Sequence, residues 1–171
     1  MSLIKTTTTL IIFCLFITTL AYTKTAEDYF NSGYAKAELK KYREAIQDYN
    51  KVIELNPNFV NAYYNRGIAK FNLQDYREAI QDYNKVIELN PNYADAYYSR
   101  GNAKGKLQDY RGAIQDFNKA IQLNPKLAEA YNNRGLAKII SGQKDSGCLD
   151  LSKAGELGYA EAYETIRNFC N

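Results

Sequence analysis

The chain contains no histidine, so the commonest general base and the commonest metal ligand are both missing. Tryptophan is absent as well, and the aromatic load falls on 16 tyrosines and 7 phenylalanines. Nor is there a strong charge of either sign. The 22 Lys and Arg are interspersed with 19 Asp and Glu for a net charge of +3, too mild for the clustered basic face of a nucleic-acid binder. No Gly-rich phosphate loop, HExxH, Cys/His cluster or Ser/His/Asp set occurs along the 171 residues. The expectation is a protein that is not an enzyme, with no cofactor, no metal and no nucleic-acid partner.

One segment differs in kind from the rest. MSLIK supplies a cationic start, and Thr6 to Thr23 then runs without a charge. Its strongly apolar part, Leu10 to Leu20, is shorter than the roughly 20 apolar residues that span a bilayer. Residues 1–21 are therefore read as a signal peptide, with small residues at Thr19 and Ala21 marking cleavage after Ala21. An uncleaved N-terminal anchor is the alternative, and only then would the protein meet a membrane. Cys14 is not a lipid-attachment site, because bulky Ile12 and Phe13 precede it. Residues 22–25 form a short linker, and the expected location is exported, with membrane anchoring as the alternative.

Proline is scarce, and its placement is the strongest signal in the chain. All three, Pro57, Pro91 and Pro125, fall 34 residues apart. The stretch Tyr42 to Asn58 recurs unchanged from Tyr76 to Asn92, and in edited form from Tyr110 to Lys126. Proline cannot continue a helix and pushes the residue before it out of helical angles, so each Asn-Pro ends a helix. Apolar residues within each 34-residue unit recur at helical spacing on both sides of a polar turn such as Leu73 to Tyr76. Each unit is thus a helix–turn–helix hairpin. Asp75 and Glu78 have the spacing of a capping box at the second helix, and in the third copy Asp109 keeps the cap while Gly112 replaces the glutamate.

Four units follow: 26–59, 60–93, 94–127 and a divergent 128–161. Gly33, Gly67, Gly101 and Gly135 recur inside the first helix, where glycine costs about 1 kcal/mol relative to alanine. Four such glycines indicate an approach too close for a side chain, faced by the small column Ala45, Ala79 and Ala113. Tyr29, Tyr63, Tyr97 and Tyr131, then Tyr42, Tyr76 and Tyr110, then Tyr49, Tyr83 and Phe117 are read as core layers. Asp48, Asp82, Asp116 and Asp150 recur with Arg66, Arg100 and Arg134 and with Lys36, Lys70, Lys104 and Lys138. They are read as a salt-bridge ladder between units, with Arg66 and Lys70 facing Asp48 of the unit before.

The aromatic, glycine, aromatic, alanine, aromatic and proline columns at a 34-residue period resemble the tetratricopeptide repeat. The resemblance implies an all-α fold, a right-handed superhelix or α-solenoid of four hairpins over residues 26–171, with a C-terminal capping helix at about 160–170. One hairpin cannot bury its own apolar face, so neighbours must stack. The last unit departs from the pattern at Lys144, Gly147, Leu151 and Tyr159, and its ending, LSKAGELGYAEAYETIRNFC, is similar to the Sel1-like repeats.

By the same resemblance the first helices line a concave groove, which binds a peptide or protein segment as an adaptor or scaffold. The implied groove residues are Phe30, Asn31 and Tyr34; Tyr64, Asn65, Ile68 and Phe71; Tyr98, Ser99 and Asn102; and Asn132, Asn133 and Leu136, with Ala37, Gly105 and Ile139 a turn further on. Family members that clasp acidic chaperone tails use a clamp of Lys, Asn, Asn, Lys and Arg. Here those positions are Phe30, Tyr34, Asn65, Asp95 and Ser99, and only Asn65 matches. A register one unit on gives Tyr64, Ile68, Ser99, Glu129 and Asn133, with no match. A role as accessory or assembly factor of a membrane or envelope complex is the alternative function. Cleavage of the signal would leave Cys148 and Cys170, an even count in an exported chain. A turn near Gly158 would bring them level on antiparallel helices, as a disulfide stapling the cap or as two buried thiols.

Overall fold

The helix stops set the architecture. Asn56, Asn90 and Asn124 all take extended backbone angles before their prolines, and each side chain accepts the amide N–H two residues on. The computed structural model describes residues 24–170. The expected signal peptide or anchor, with Cys14 and the first half of the 22–25 linker, lies outside the described residues. Among the described residues nine α-helices occur and no strand: α1 (Ala26–Glu38), α2 (Tyr42–Leu55), α3 (Val60–Asn72), α4 (Tyr76–Leu89), α5 (Ala94–Lys106), α6 (Tyr110–Leu123), α7 (Ala128–Ile140), α8 (Lys144–Glu156) and α9 (Glu161–Phe169). None of these helices is long and apolar enough to cross a membrane.

Consecutive helices pair as antiparallel hairpins, and each hairpin packs on the next to make a solenoid. The first helices also meet one another, α1 with α3, α3 with α5 and α5 with α7, so they form the inner wall. Inside each hairpin the turn is closed by one residue with positive φ, at Lys40, Gln74, Gln108 and Gly142. Paired amide bonds back into the first helix accompany it, as from Gln74 to Phe71 and Asp75 to Lys70. Gly158 repeats the device before α9, where the chain does turn back.

The glycine column works by a ring rather than by bare backbone. A Cβ on Gly67 would lie 2.7 Å from Tyr83 Cε1, and one on Gly101 2.7 Å from Phe117 Cε1. The second-helix aromatic therefore lies flat on the glycine, and Tyr49, Tyr83 and Phe117 are buried there. Only the last hairpin brings backbones together. With Leu151 in place of the ring, a Cβ on Gly135 would meet the Gly147 carbonyl at 2.8 Å. Of the remaining aromatic columns, Tyr63 is buried, while Tyr97 and Tyr131 are half-buried under the guanidinium of Arg100 and Arg134.

Two local expectations are corrected. Asp75 makes no side-chain cap, whereas Asp109 accepts the Gly112 amide at 2.9 Å. A Cβ at position 112 would sit 2.2 Å from the Asp109 carboxylate, so the glutamate of a full capping box obstructs this rotamer and glycine permits it. The charge ladder, expected between units with Arg66 and Lys70 on Asp48, runs within units instead. Arg66 donates to both oxygens of Asp82, at 2.6 and 3.0 Å, and Lys70 adds a third contact at 2.8 Å. Only the remaining Arg66 nitrogen reaches back a unit, to Asn50 Oδ1 at 2.6 Å. The same set recurs at Arg100 and Lys104 on Asp116 and at Arg134 and Lys138 on Asp150. The hairpin turn opposes residues 16 apart, which favours the partner in the same unit.

At the C-terminal end α9 packs on α8, with the Tyr163 ring against Gly155 and Ala162 buried. Cys148 and Cys170 come together there, their sulfurs at 2.00 Å and their Cα atoms 5.8 Å apart.

Candidate functional site

The inner wall carries a departure from repetition. Positions 37, 71, 105 and 139 form one column, occupied by Ala, Phe, Gly and Ile. In the second unit Phe71 fills the space beside the hairpin turn and meets Tyr76 edge-on, ring centroids 5.1 Å apart. In the third unit Tyr110 is the counterpart of Tyr76, but Gly105 offers no ring. A Cβ built there would touch nothing within 4 Å. The space left is an open cavity of about 460 Å³ between α3, α5 and α7. That volume lies within the range of small-ligand and side-chain pockets.

Its walls are apolar: Phe71 on one side, Leu136 and Ile140 on the other, Tyr110 and Phe117 beneath. Its polar side is an amide network. Asn133 Nδ2 donates to Asn102 Oδ1 at 2.8 Å and to the Tyr98 hydroxyl at 3.2 Å, and Asn133 Oδ1 accepts from Asn132 at 3.0 Å. Asn102, its Oδ1 engaged by Asn133, lies in the cavity wall. Lys106, at the rim, is the one charged residue of the lining and takes no part in an ion pair among the described residues. A smaller hollow of about 100 Å³ adjoins it, lined by Ile68, Phe71, Tyr83, Ser99 and Asn102.

The structure therefore gathers Ile68, Phe71, Ser99, Asn102, Gly105, Asn133 and Leu136 around this inner surface, with the Tyr98 hydroxyl reaching Asn133 from behind. The rings of the other expected aromatics and the remaining expected residues lie outside the lining. Phe30, Tyr64 and Tyr98 are half-buried, each ring 6.0 Å from the second-helix aromatic of its own unit. Phe30 and Tyr64 also pack on Phe59 and Tyr93 of the following turn. Three residues before the glycine is the same helix face, so this column turns toward the second helix rather than the groove. Asn132 holds the same column position and is buried, which removes it from the groove surface. Asn31 and Tyr34 are exposed at the N-terminal end and Asn65 is half-buried, and none of the three lines either cavity. Ile139 packs toward Gly147 of α8.

Burial also shapes the tyrosine hydroxyls. The Tyr49 phenol is pushed up to about 12, chiefly by burial and secondarily by the nearby Tyr34, Asp48 and Glu38. Tyr83 is raised by burial as well, with Ser99 acting against the shift through a hydrogen bond, and Tyr98 is raised by burial against its bonds to Asn102 and Asn133. No group of His, Cys, Asp and Glu side chains among the described residues could hold a metal.

Sequence reasoning missed Tyr110 and Ile140, and placed Tyr110 in the core. The signal was available in the column that reads Phe71, then Gly105: removing a ring beside a retained tyrosine exposes the tyrosine face.

Set beside known proteins, the tetratricopeptide repeat profile matches residues 60–93 and 94–127, and a second TPR repeat profile matches 33–74. No curated protein sequence is a significant match. Among solved structures, MamA is 29% identical with a TM-score of 0.76, the match covering 81% of each chain. MamA from Desulfovibrio magneticus RS-1 is 25% identical, with a TM-score of 0.74 over 79% of this chain and 76% of that one. The first TPR of Spaghetti (RPAP3), bound to the HSP90 peptide SRMEEVD, is 30% identical with a TM-score of 0.68, over 69% of this chain and 94% of that one. The hairpin stacking, the ring-on-glycine contacts and these matches agree, and the chain belongs to the tetratricopeptide repeat family.

Proposed function

We propose that the protein is a non-enzymatic adaptor that captures a segment of another protein on its inner wall, around the cavity at Gly105. The observation that carries this reading is the preformed cavity itself: apolar walls, a hydrogen-bonded amide pair and one cation without an ion-pair partner among the described residues, on a helical frame. Stacking and the Asn133 network hold the surface before a partner arrives, so little ordering accompanies binding. The peptide-bound state of the Spaghetti (RPAP3) relative supports the mode of binding. It does not support the same ligand, because this chain has Phe30, Tyr34, Asp95 and Ser99 where that class of clamp needs cations and an amide.

The test is selection of peptides from a random displayed library against the full-length protein. Enriched peptides should lose binding to Leu136→Arg, which places a charge in the cavity wall, and keep it with Glu88→Arg on an exposed second-helix position. Absence of enrichment, or equal loss with both variants, would refute the groove as the binding surface.

A further inference from the structure

We infer that the cavity recognises an aromatic side chain flanked by carboxylates, in an extended peptide segment. The inference rests on the adaptor reading and names its ligand. The molecule contains its own template for the occupant. Units two and three share the turn tyrosine, as Tyr76 and Tyr110, and differ in the residue that covers it. In unit two the cover is the Phe71 ring, inclined at 65° to Tyr76 with centroids 5.1 Å apart. In unit three the cover is missing, since Gly105 opens onto space where a Cβ would meet nothing within 4 Å. A ring supplied by another chain takes the place that Phe71 takes one unit earlier. It meets Tyr110 edge-on with Leu136 and Ile140 behind it, and Phe71 bounds the same cavity from the other side. Aromatic pairs of this geometry contribute beyond the area they bury, and aromatic anchors in such pockets dominate interface energies.

Charge sets the flanking residues. Lys106 is the single charged side chain in the lining, it stands at the rim, and no described carboxylate neutralises it. By contrast Lys104, two residues earlier, is held on Asp116 at 2.7 Å and is not available. A carboxylate beside the anchoring ring satisfies Lys106. Asn102 can then donate to a main-chain carbonyl of the same segment, fixing an extended peptide across α5 and α7.

The experiment uses the full-length protein and fluorescein-labelled peptides of the pattern Gly-Ser-Asp-Phe-Asp-Ser-Gly, with matched versions carrying Ala for Phe or Asn for both Asp. Fluorescence anisotropy should show the Phe peptide binding at least tenfold more tightly than the Ala peptide, and more tightly than the Asn version at low salt. Gly105→Phe, which rebuilds the unit-two arrangement, should abolish binding while its helical circular dichroism and melting temperature stay at or above the parent values. Lys106→Glu should weaken the acidic peptide and spare the Asn version. Equal binding of the Phe and Ala peptides, undiminished binding to Gly105→Phe, or no binding at millimolar peptide would overturn the inference. Binding of N-acetyl-phenylalaninamide as tight as the peptide would also overturn it, in favour of a small-molecule site. If library peptides without an aromatic bind and respond to Leu136→Arg but not to Gly105→Phe, the adaptor reading stands and the aromatic anchor falls.

Discussion

Gly101→Ala and Gly105→Ala are the same substitution, four residues apart on α5, and they should move stability in opposite directions. Removing a helical glycine gains up to about 1 kcal/mol from the unfolded state's lost freedom. At position 105, near the end of the helix, the new methyl meets nothing within 4 Å, so roughly 0.5 kcal/mol of that gain survives. At position 101 the methyl lies 2.7 Å from Phe117 Cε1 and 2.9 Å from Cδ1. That ring is only 3% exposed and packs against Tyr98, so moving it off the methyl disturbs that contact. Overpacking of this kind costs about 1–3 kcal/mol, which exceeds the helical gain and leaves Gly101→Ala destabilised by about 1 kcal/mol. The two variants should then differ by about 1.5 kcal/mol. Urea unfolding followed by circular dichroism should separate their midpoints by roughly 0.5–1 M with unchanged slopes. A Gly101→Ala protein as stable as the parent would show that the ring does not depend on a bare α-carbon beneath it.

The buried carboxylates should rank by how many cations they hold. Asp82→Ala strands Arg66 and Lys70, both largely buried, and should cost about 3–5 kcal/mol. Asp48→Ala releases only Ser32 and the more exposed Lys36, and should cost about 1 kcal/mol; equal losses by urea unfolding would contradict the ranking. Stability should also fall in alkali. The folded-state phenols of Tyr49 and Tyr83 lie above the free value of about 10, so the unfolded chain loses its protons first. The contribution is complete below pH 10 and disappears as pH rises through about 12 for Tyr49. Melting temperature against pH should decline from pH 10 upward, less steeply in Tyr49→Phe; identical slopes would remove that phenol from the account.

Periodicity made most of the fold legible, because helices that stack on copies of themselves must repeat their contact residues at one spacing. The prolines set the stops, and the glycine column announced a close approach. What lay on that glycine was not legible: a period says that a neighbour is near, not whether it is backbone or ring. The same blindness misdirected the charges, since Arg66 can be drawn to Asp48 or Asp82 until the turn fixes which carboxylate stands opposite. The site was read by family position, which took in Asn102, Asn133 and Leu136 of the cavity lining and with them Tyr64, Tyr98 and Asn132. Those lie on the glycine's own face and turn inward. The cavity itself belongs to a difference between units, whereas the reading weighed their likenesses.

The unchanged stretch shared by α2 and α4 has a structural consequence of its own. It makes the two helices interchangeable couplings. Arg66 docks on Asn50 of α2 in the way that Arg100 docks on Asn84 of α4, at 2.6 Å in both cases. Excision of residues 60–93 would bring α5 against α2, and Arg100 would find the Asn50 amide where it now finds Asn84. The chain can thus be shortened by one whole unit, without a foreign second-helix surface at the splice, and still keep Gly105 and Tyr110 in place. The same excision would remove Phe71, one bank of the cavity, and put Ala37 in its stead. The Arg–Asn joints repeat from unit to unit, and the width of the cavity at Gly105 is coupled to which unit precedes it.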